Sequence, residues 1–289
     1  MIIFTIAKPE AKVNEPLPRA EKFATIFEKK GVLPVSEKKY IGVFDSGVGG
    51  VSVLRELMKR LPREDFYYFG DSANAPYGPR PTQEVRDLSI AASEHLLQLG
   101  AKCLVVACNT ATAAAINALR EKYPEEIIIG IEPALKLAAD RHPGGTIGVM
   151  ATEVTLREEK YAALVRRCQQ YSTVIPLPSP GIVELVEADR TDSPEAYELL
   201  HKELDPYVGK LDALVLGCTH YPFAEKTIRD ILGKDVDILH GGPGTARETQ
   251  RRLAQAGLLK TEGEGSLTIE NSSGEKRMIE LTYKLLTRK

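Results

Sequence analysis

The feature that most constrains this chain is an alternation that sets in at Tyr40. Short apolar runs at 41–44, 66–69, 103–107, 127–131, 146–150, 173–177, 213–216 and 236–239 are separated by longer amphipathic stretches. Leu54, Leu57, Met58 and Leu61 mark one helical stripe, and Leu88, Ala91, Ala92, His95, Leu96 and Leu99 mark another. Several runs are rich in Val and Ile and bounded by Gly, Asp or Pro. That pattern suits strands of parallel or mixed sheets covered by helices on both faces, and hence an α/β fold. The chain has 289 residues, and at roughly 150 residues per domain two domains are expected.

An internal repeat supports two similar halves. Residues 104–112 read LVVACNTAT and 214–222 read LVLGCTHYP, so Cys108 and Cys218 stand 110 positions apart in matching contexts. Ligands of open α/β sheets bind beyond the carboxyl ends of the strands, which is where both cysteines are expected. The run VFDSGVGG (43–50) delivers Asp45 and Ser46 to the same kind of position. Its glycines fit neither the dinucleotide nor the Walker spacing, because Ser52 takes the last place and no Gly-Lys-Ser/Thr follows. They read instead as a tight turn whose backbone N–H groups can hold a carboxylate.

The four cysteines divide by position. Cys103 starts a strand and Cys168 lies in the helical stretch 158–169, both as packing residues. Cys108 and Cys218 end strands, and each is expected to meet a helix N-terminus, which favours the thiolate; His220 adds an imidazole to the second. A thiol so placed can be a nucleophile, a metal ligand or a general base. The spacings match no standard metal set, and no CxxC pair occurs. Two thiols facing one cleft are what is needed to take a proton from one face of a carbon and return one to the other. GDSANAPYGPR (70–80) presents Tyr77 from a rigid proline turn, Thr152 and Thr155 follow the strand at 146–150, and Thr245 in HGGPGTA (240–246) is a candidate N-cap for a helix over 246–253.

Charge narrows the partners. Lys+Arg total 38 against 40 Asp+Glu, a net −2, without the basic excess by which proteins bind nucleic acid or anionic lipid. No apolar stretch is long enough to span a bilayer and no signal-peptide core is present, so a cytoplasmic protein is expected. Residues 1–39 differ from the rest, with four prolines, a mild basic excess and an amphipathic stretch at 19–30 carrying Phe23, Ile26 and Phe27. They read as an arm docked on the body.

Taken together, VFDSGVGGVSVL (43–54), PYG (76–78), VVACNTAT (105–112), GVMATEVT (148–155) and VLGCTHYP (215–222) resemble the glutamate racemases of the aspartate/glutamate racemase family. The likeness covers roughly residues 40–289. It implies two pseudo-symmetric α/β domains with mainly parallel sheets and an active site between them, one of 40–133 plus 243–289 and one of 134–242. It implies that Cys108 takes the α-proton from D-glutamate and Cys218 from L-glutamate, assisted by Asp45 and His220 respectively. Asp45, Ser46, Pro76, Tyr77, Gly78, Asn109, Thr110, Thr152, Thr219 and His220 would hold the substrate. Glu187 corresponds to a family acidic residue, with Glu184 close in register, and His240–Gly241–Gly242 replaces a turn usual in the family.

The resemblance further implies no cofactor and no metal, with L- and D-glutamate as the small-molecule partners and D-glutamate destined for peptidoglycan. A homodimer is left open. Three alternatives stand beside this reading: a racemase of aspartate or another amino acid, a thiol hydrolase or transferase using Cys218 and His220 alone, and a non-catalytic amino-acid-binding protein.

Overall fold

Nine parallel strands form two separate sheets in this computed structural model, which describes residues 39–131, 134–157 and 159–288. The expected arm therefore lies, but for its last residue, outside the described residues. The elements run β1 (Tyr40–Asp45), α1 (Val51–Arg60), β2 (Phe66–Gly70), α2 (Thr82–Gln98), β3 (Ala101–Val106), α3 (Asn109–Lys122), β4 (Ile128–Gly130) and α4 (Leu135–Arg141). They continue with β5 (Thr146–Ala151), α5 (Glu153–Arg157), α6 (Glu159–Cys168), β6 (Thr173–Pro178), α7 (Ile182–Glu187) and α8 (Pro194–Leu204). The last are β7 (Ala213–Leu216), α9 (Glu225–Leu232), β8 (Asp237–His240), α10 (Gly242–Gln255), β9 (Leu267–Asn271) and α11 (Lys276–Thr287).

The first sheet has the order β4-β3-β1-β2-β9 and the second the order β6-β5-β7-β8. Read from its other edge, the second is β8-β7-β5-β6, the same arrangement as β4-β3-β1-β2. The repeat seen in the sequence is thus a repeat of topology, with β3 and β7 as equivalent strands. It extends to single hydrogen bonds: Ala107 N donates to Phe44 O at 2.8 Å, and Gly217 N to Met150 O at 2.7 Å. Each pair crosses the point where strand order reverses, the place where ligands of such sheets bind. Cys108 and Ser46 flank that point in one sheet, Cys218 and Thr152 in the other.

Burial explains why the strands were legible. All six residues of β3 and all four of β7 are buried, as expected of strands covered on both faces. Helix α1 buries Val51, Val53, Leu54 and Leu57, and α10 and α11 pack on it, which brings the end of the chain back to the first sheet. Two local expectations change. Helix α10 begins at Gly242 with Pro243 in its first turn, and Thr245 Oγ1 donates back to Gly241 O at 3.0 Å inside the helix. Proline suits a first turn because its missing N–H has no partner there, so the start moves upstream and Thr245 is not the cap. Cys218, in turn, meets no α-helix: a 3-10 turn, Tyr221–Ala224, comes first. Pro222 disfavours a helical Tyr221, and Tyr221 OH is fixed to Ser179 O at 2.7 Å.

Candidate active site

The two switch points open into one cavity of about 260 Å³ lined by residues of both halves. Ser46, Pro76, Tyr77, Gly78, Cys108, Asn109, Thr110, Thr152, Cys218, Thr219 and His220 all line it. Glu153, Ser179, Gly181, Val183 and Glu184 also line it and were not anticipated as site residues. Among the described residues, no Lys or Arg lines the cavity. A ligand carboxylate would be met by hydroxyls, amides and one imidazole. Asn109 Oδ1 is a buried acceptor with no partner among the described residues, suited to an ammonium.

Cys108 caps α3, and its Sγ accepts from Ala111 N at 3.4 Å. The thiol faces Ser46 Oγ at 3.5 Å. Burial, and after it the negative charge of Asp45, pushes the Cys108 thiol up to about 12. Cys218 has different company. Its Sγ lies 3.7 Å from His220 Nδ1, and His220 Nε2 lies 2.8 Å from Glu187 Oε1. Burial opposes a charge on His220, but hydrogen bonds to Cys218 and Glu187 outweigh it and hold the imidazole well above its ordinary range.

Asp45 and Glu187 stand behind the lining. Asp45 is fully buried, accepting from Gly47 N at 3.1 Å and from Thr219 Oγ1 at 3.0 Å. Burial raises its carboxyl to about 6 against the pull of His220. Among the described residues it makes no hydrogen bond to Cys108 and reaches that thiol as a nearby charge. Glu187 Oε1 also accepts from Val48 N at 2.9 Å. The glycine turn thus holds carboxylates, as expected, but they are the protein's own. A Cβ on Gly47 would overlap Glu187, and one on Gly49 would overlap the His220 ring, so close approach requires both glycines.

Three supporting residues escaped the sequence. Ser52 Oγ donates to Thr219 O at 2.8 Å and so ties the Cys218 turn to the first sheet. Tyr68 OH donates to Gly47 O at 2.6 Å. Asp71 receives Tyr77 OH at 2.6 Å and fixes the proline turn. Across the mouth, Thr110 and Thr152 hydroxyls meet at 3.2 Å, and Thr152 Oγ1 donates to Thr155 Oγ1 at 3.0 Å. His240 faces its own turn, accepting from Gly242 N at 3.3 Å, rather than the cavity. No group of three or more His, Cys, Asp or Glu among the described residues could hold a metal ion, and no described helix could cross a membrane.

Known proteins share this arrangement. The Asp/Glu/Hydantoin racemase family model matches residues 41–249. A glutamate racemase of Clostridium perfringens is 47% identical over 248 residues, 85% of this chain and 95% of that protein. The crystal structure of a glutamate racemase isoform from Bacillus anthracis superposes with a TM-score of 0.76 at 34% identity, covering 84% of this chain and 94% of that one. A glutamate racemase of Francisella tularensis, solved in complex with D-glutamate, gives 0.75 at 26% identity over 88% and 95% of the two chains. The match spans both sheets and both thiol-bearing strand ends, and the chain belongs to the Asp/Glu/hydantoin racemase family, among its glutamate racemases.

Proposed function

We propose that this protein interconverts L- and D-glutamate by proton transfer between two thiols, without pyridoxal phosphate or metal. The observation that carries the reading is the pairing of Cys108 and Cys218 at equivalent strand ends, both lining one cavity. In the L-to-D direction His220 Nδ1 takes the thiol proton of Cys218, and Glu187 balances the imidazolium. The Cys218 thiolate then takes the α-proton, and Cys108, protonated at rest, delivers its own to the opposite face. One turnover leaves Cys108 as the thiolate, Cys218 carrying the α-proton and the first thiol proton on His220; the D-to-L direction followed by its return from His220 to Cys218, or exchange with solvent, restores the resting state.

The α-carbanion is stabilised by preorganised neutral donors on the α-carboxylate, the kind of arrangement that usually supplies the largest catalytic contribution. Ser46, Asn109, Thr110, Thr152, Thr219 and the Pro76–Tyr77–Gly78 turn bind the substrate, and Asp45 orients Thr219. The domains of this reading are 40–133 plus 243–289 and 134–242, a division supported by the membership of the two sheets. The free amino acid is the partner, with neither nucleic acid nor membrane, and the D-glutamate formed serves peptidoglycan synthesis. Four free cysteines fit a reducing cytoplasm.

Following solvent deuterium into the α-position of each enantiomer tests the reading. Exchange should accompany racemisation with no added cofactor. Turnover of aspartate and not glutamate would overturn the substrate, and racemisation that survives loss of either thiol would overturn the two-base mechanism.

A further inference from the structure

The first half reaches across to the second along one edge of its last helix. Arg277 and Lys284, seven residues apart, share one face of α11, and Arg288 follows directly after its end. All three contact the short segment that ends α7. Arg277 Nη2 donates to Glu187 O at 2.9 Å, Lys284 pairs with Asp189, and Arg288 donates to Thr191 Oγ1 and to Asp192 Oδ2, each at 2.6 Å. The adjoining face of α11, with Met278, Leu281, Thr282 and Leu285, is buried against the first half.

The segment held in this way is the one on which the Cys218 side depends. Helix α7 has six residues and ends at Glu187; the N–H groups of Ala188, Arg190 and Asp189 take the carbonyls of Glu184, Leu185 and Val186, which leaves Glu187 O to Arg277, and a cation is favoured at such an end. Asp189 follows at φ 58°, a left-handed conformation unusual outside glycine, and its carboxylate is the one Lys284 holds. Val183 and Glu184 line both the active cavity and a second cavity of about 240 Å³, to whose wall Glu187 and Arg277 also contribute. The placement of α7 therefore sets both the cavity wall and the reach of Glu187 Oε1 to His220.

We propose that Arg277 is a positioning residue for racemisation: with Lys284 and Arg288 it clasps the end of α7 to α11, and so holds Glu187 in contact with His220. The inference rests on the racemase reading. The groups facing His220 are Cys218 on its own turn, Glu187 on α7 and Asp45 at the end of β1. Two of these belong to elements the clasp does not touch, so releasing it should change the Glu187 contact selectively.

The test compares Arg277→Ala, Arg277→Lys, Glu187→Gln and the double variant Arg277→Ala/Glu187→Gln. Each is assayed for kcat and KM with both enantiomers, across pH, with Tm recorded. Arg277→Ala should lower kcat about tenfold, as small misplacements of a catalytic group do, and leave KM within about twofold. The acid limb of its activity with L-glutamate should move to lower pH, because His220, the base in that direction, loses a negative partner. Arg277→Lys, which keeps a donor for the carbonyl, should restore most of the rate. The Ala substitution should add little on the Glu187→Gln background, since both act through one contact. Unchanged kcat and pH profile would overturn the clasp, as would losses that add in the double variant, or a lower Tm with the profile unmoved. If Arg277→Ala does not fold, Arg277→Gln, with one donor retained, carries the same comparison. A wild type that fails to racemise glutamate would sink the underlying reading instead, and is seen separately.

Discussion

The two thiols sit at matching strand ends with nearly matching words, yet their surroundings are opposite in kind. Cys108 is solvated by a helix N-terminus and a serine hydroxyl, with Asp45 as its nearest charge. Cys218 stands at the head of a Cys218–His220–Glu187 chain and has no α-helix beneath it. Duplicated topology supplied the positions, and the residues one and two places further on supplied the chemistry. One thiol is kept protonated; the other has a base at hand. A reaction symmetric in its substrates is run by a site that is not symmetric at rest. Because enantiomers have equal free energy, kcat/KM must stay equal in the two directions whatever is mutated. The asymmetry can appear only in kcat and KM taken separately, or in exchange without racemisation.

Removing a thiol should have the largest effect. Cys108→Ser and Cys218→Ser should each cut racemisation roughly 10³-fold or more, near the upper part of the range for a positioned acid or base. Their residual chemistry should differ: Cys108→Ser keeps the Cys218 chain and should still exchange the α-proton of L-glutamate, while Cys218→Ser should exchange D-glutamate far more slowly. Proton NMR in deuterium oxide reads this directly, and equal exchange rates in the two variants would erase the distinction drawn above. Next in size are the partners. His220→Asn should lower kcat about a hundredfold, as loss of a proton-transfer group does. Ser46→Ala, which removes one neutral hydrogen bond from Cys108, should cost about tenfold or less, in line with the modest net value of such bonds. The reverse order would mean that Cys108, not Cys218, depends more on its neighbour.

That ordering could not be read from the sequence, and the reason is physical. The strands were legible because burial on both faces forces continuous apolar runs, and the paired thiols because each ends such a run. β9 was absent from the runs because Thr268, Glu270 and Asn271 interrupt its apolar residues at the sheet edge. The Glu187–His220 contact joins residues 33 positions apart, and Glu184 and Glu187 lie three apart on α7, so spacing alone could not choose between them. The fold assigns Glu184 to the cavity wall and Glu187 to the imidazole. Tyr68 and Ser52 look like ordinary core residues until the turn they hold is seen. The glycine turn holds one carboxylate of its own half, Asp45, and one from the other half, Glu187, and Gly49 admits the His220 ring.

A smaller effect isolates the charge on the Cys218 side. Glu187 and Cys218 together hold His220 above its ordinary range. Glu187→Gln keeps a hydrogen-bond acceptor and removes the charge, so the imidazole should deprotonate at lower pH. With L-glutamate, for which His220 is the base, the acid limb of kcat should move down while the alkaline limb stays. A pH–rate profile whose two limbs shift together would indicate that Glu187 acts on both thiols and that the division between them is less sharp.

The smallest effect concerns Asp45, the group shared by both sides. It sits beneath Cys108 in the field but is hydrogen-bonded to Thr219, beside Cys218. Its carboxyl is raised from 3.8 to about 6, burial being the chief cause. A raised acid binds its proton more tightly when folded, so its contribution to stability is present at low pH and is lost as pH rises through about 6. At full ionisation the loss is of order 3 kcal/mol for a shift of about two units. Asp45→Asn keeps the acceptor for Gly47 N and can place an amide donor on Thr219 Oγ1 without burying a charge. Denaturant melts should therefore show Asp45→Asn more stable than wild type by about 1–2 kcal/mol near pH 8, part of the gain being offset by lost attraction to His220. The difference should close towards about pH 4, where the wild-type carboxyl is protonated in the fold. A variant less stable at both values would mean that the Gly47 and Thr219 hydrogen bonds, not desolvation, dominate at this carboxylate. If instead stability rises while racemisation falls, the charge is retained against the fold's own preference, as expected of a group that serves the chemistry of both thiols.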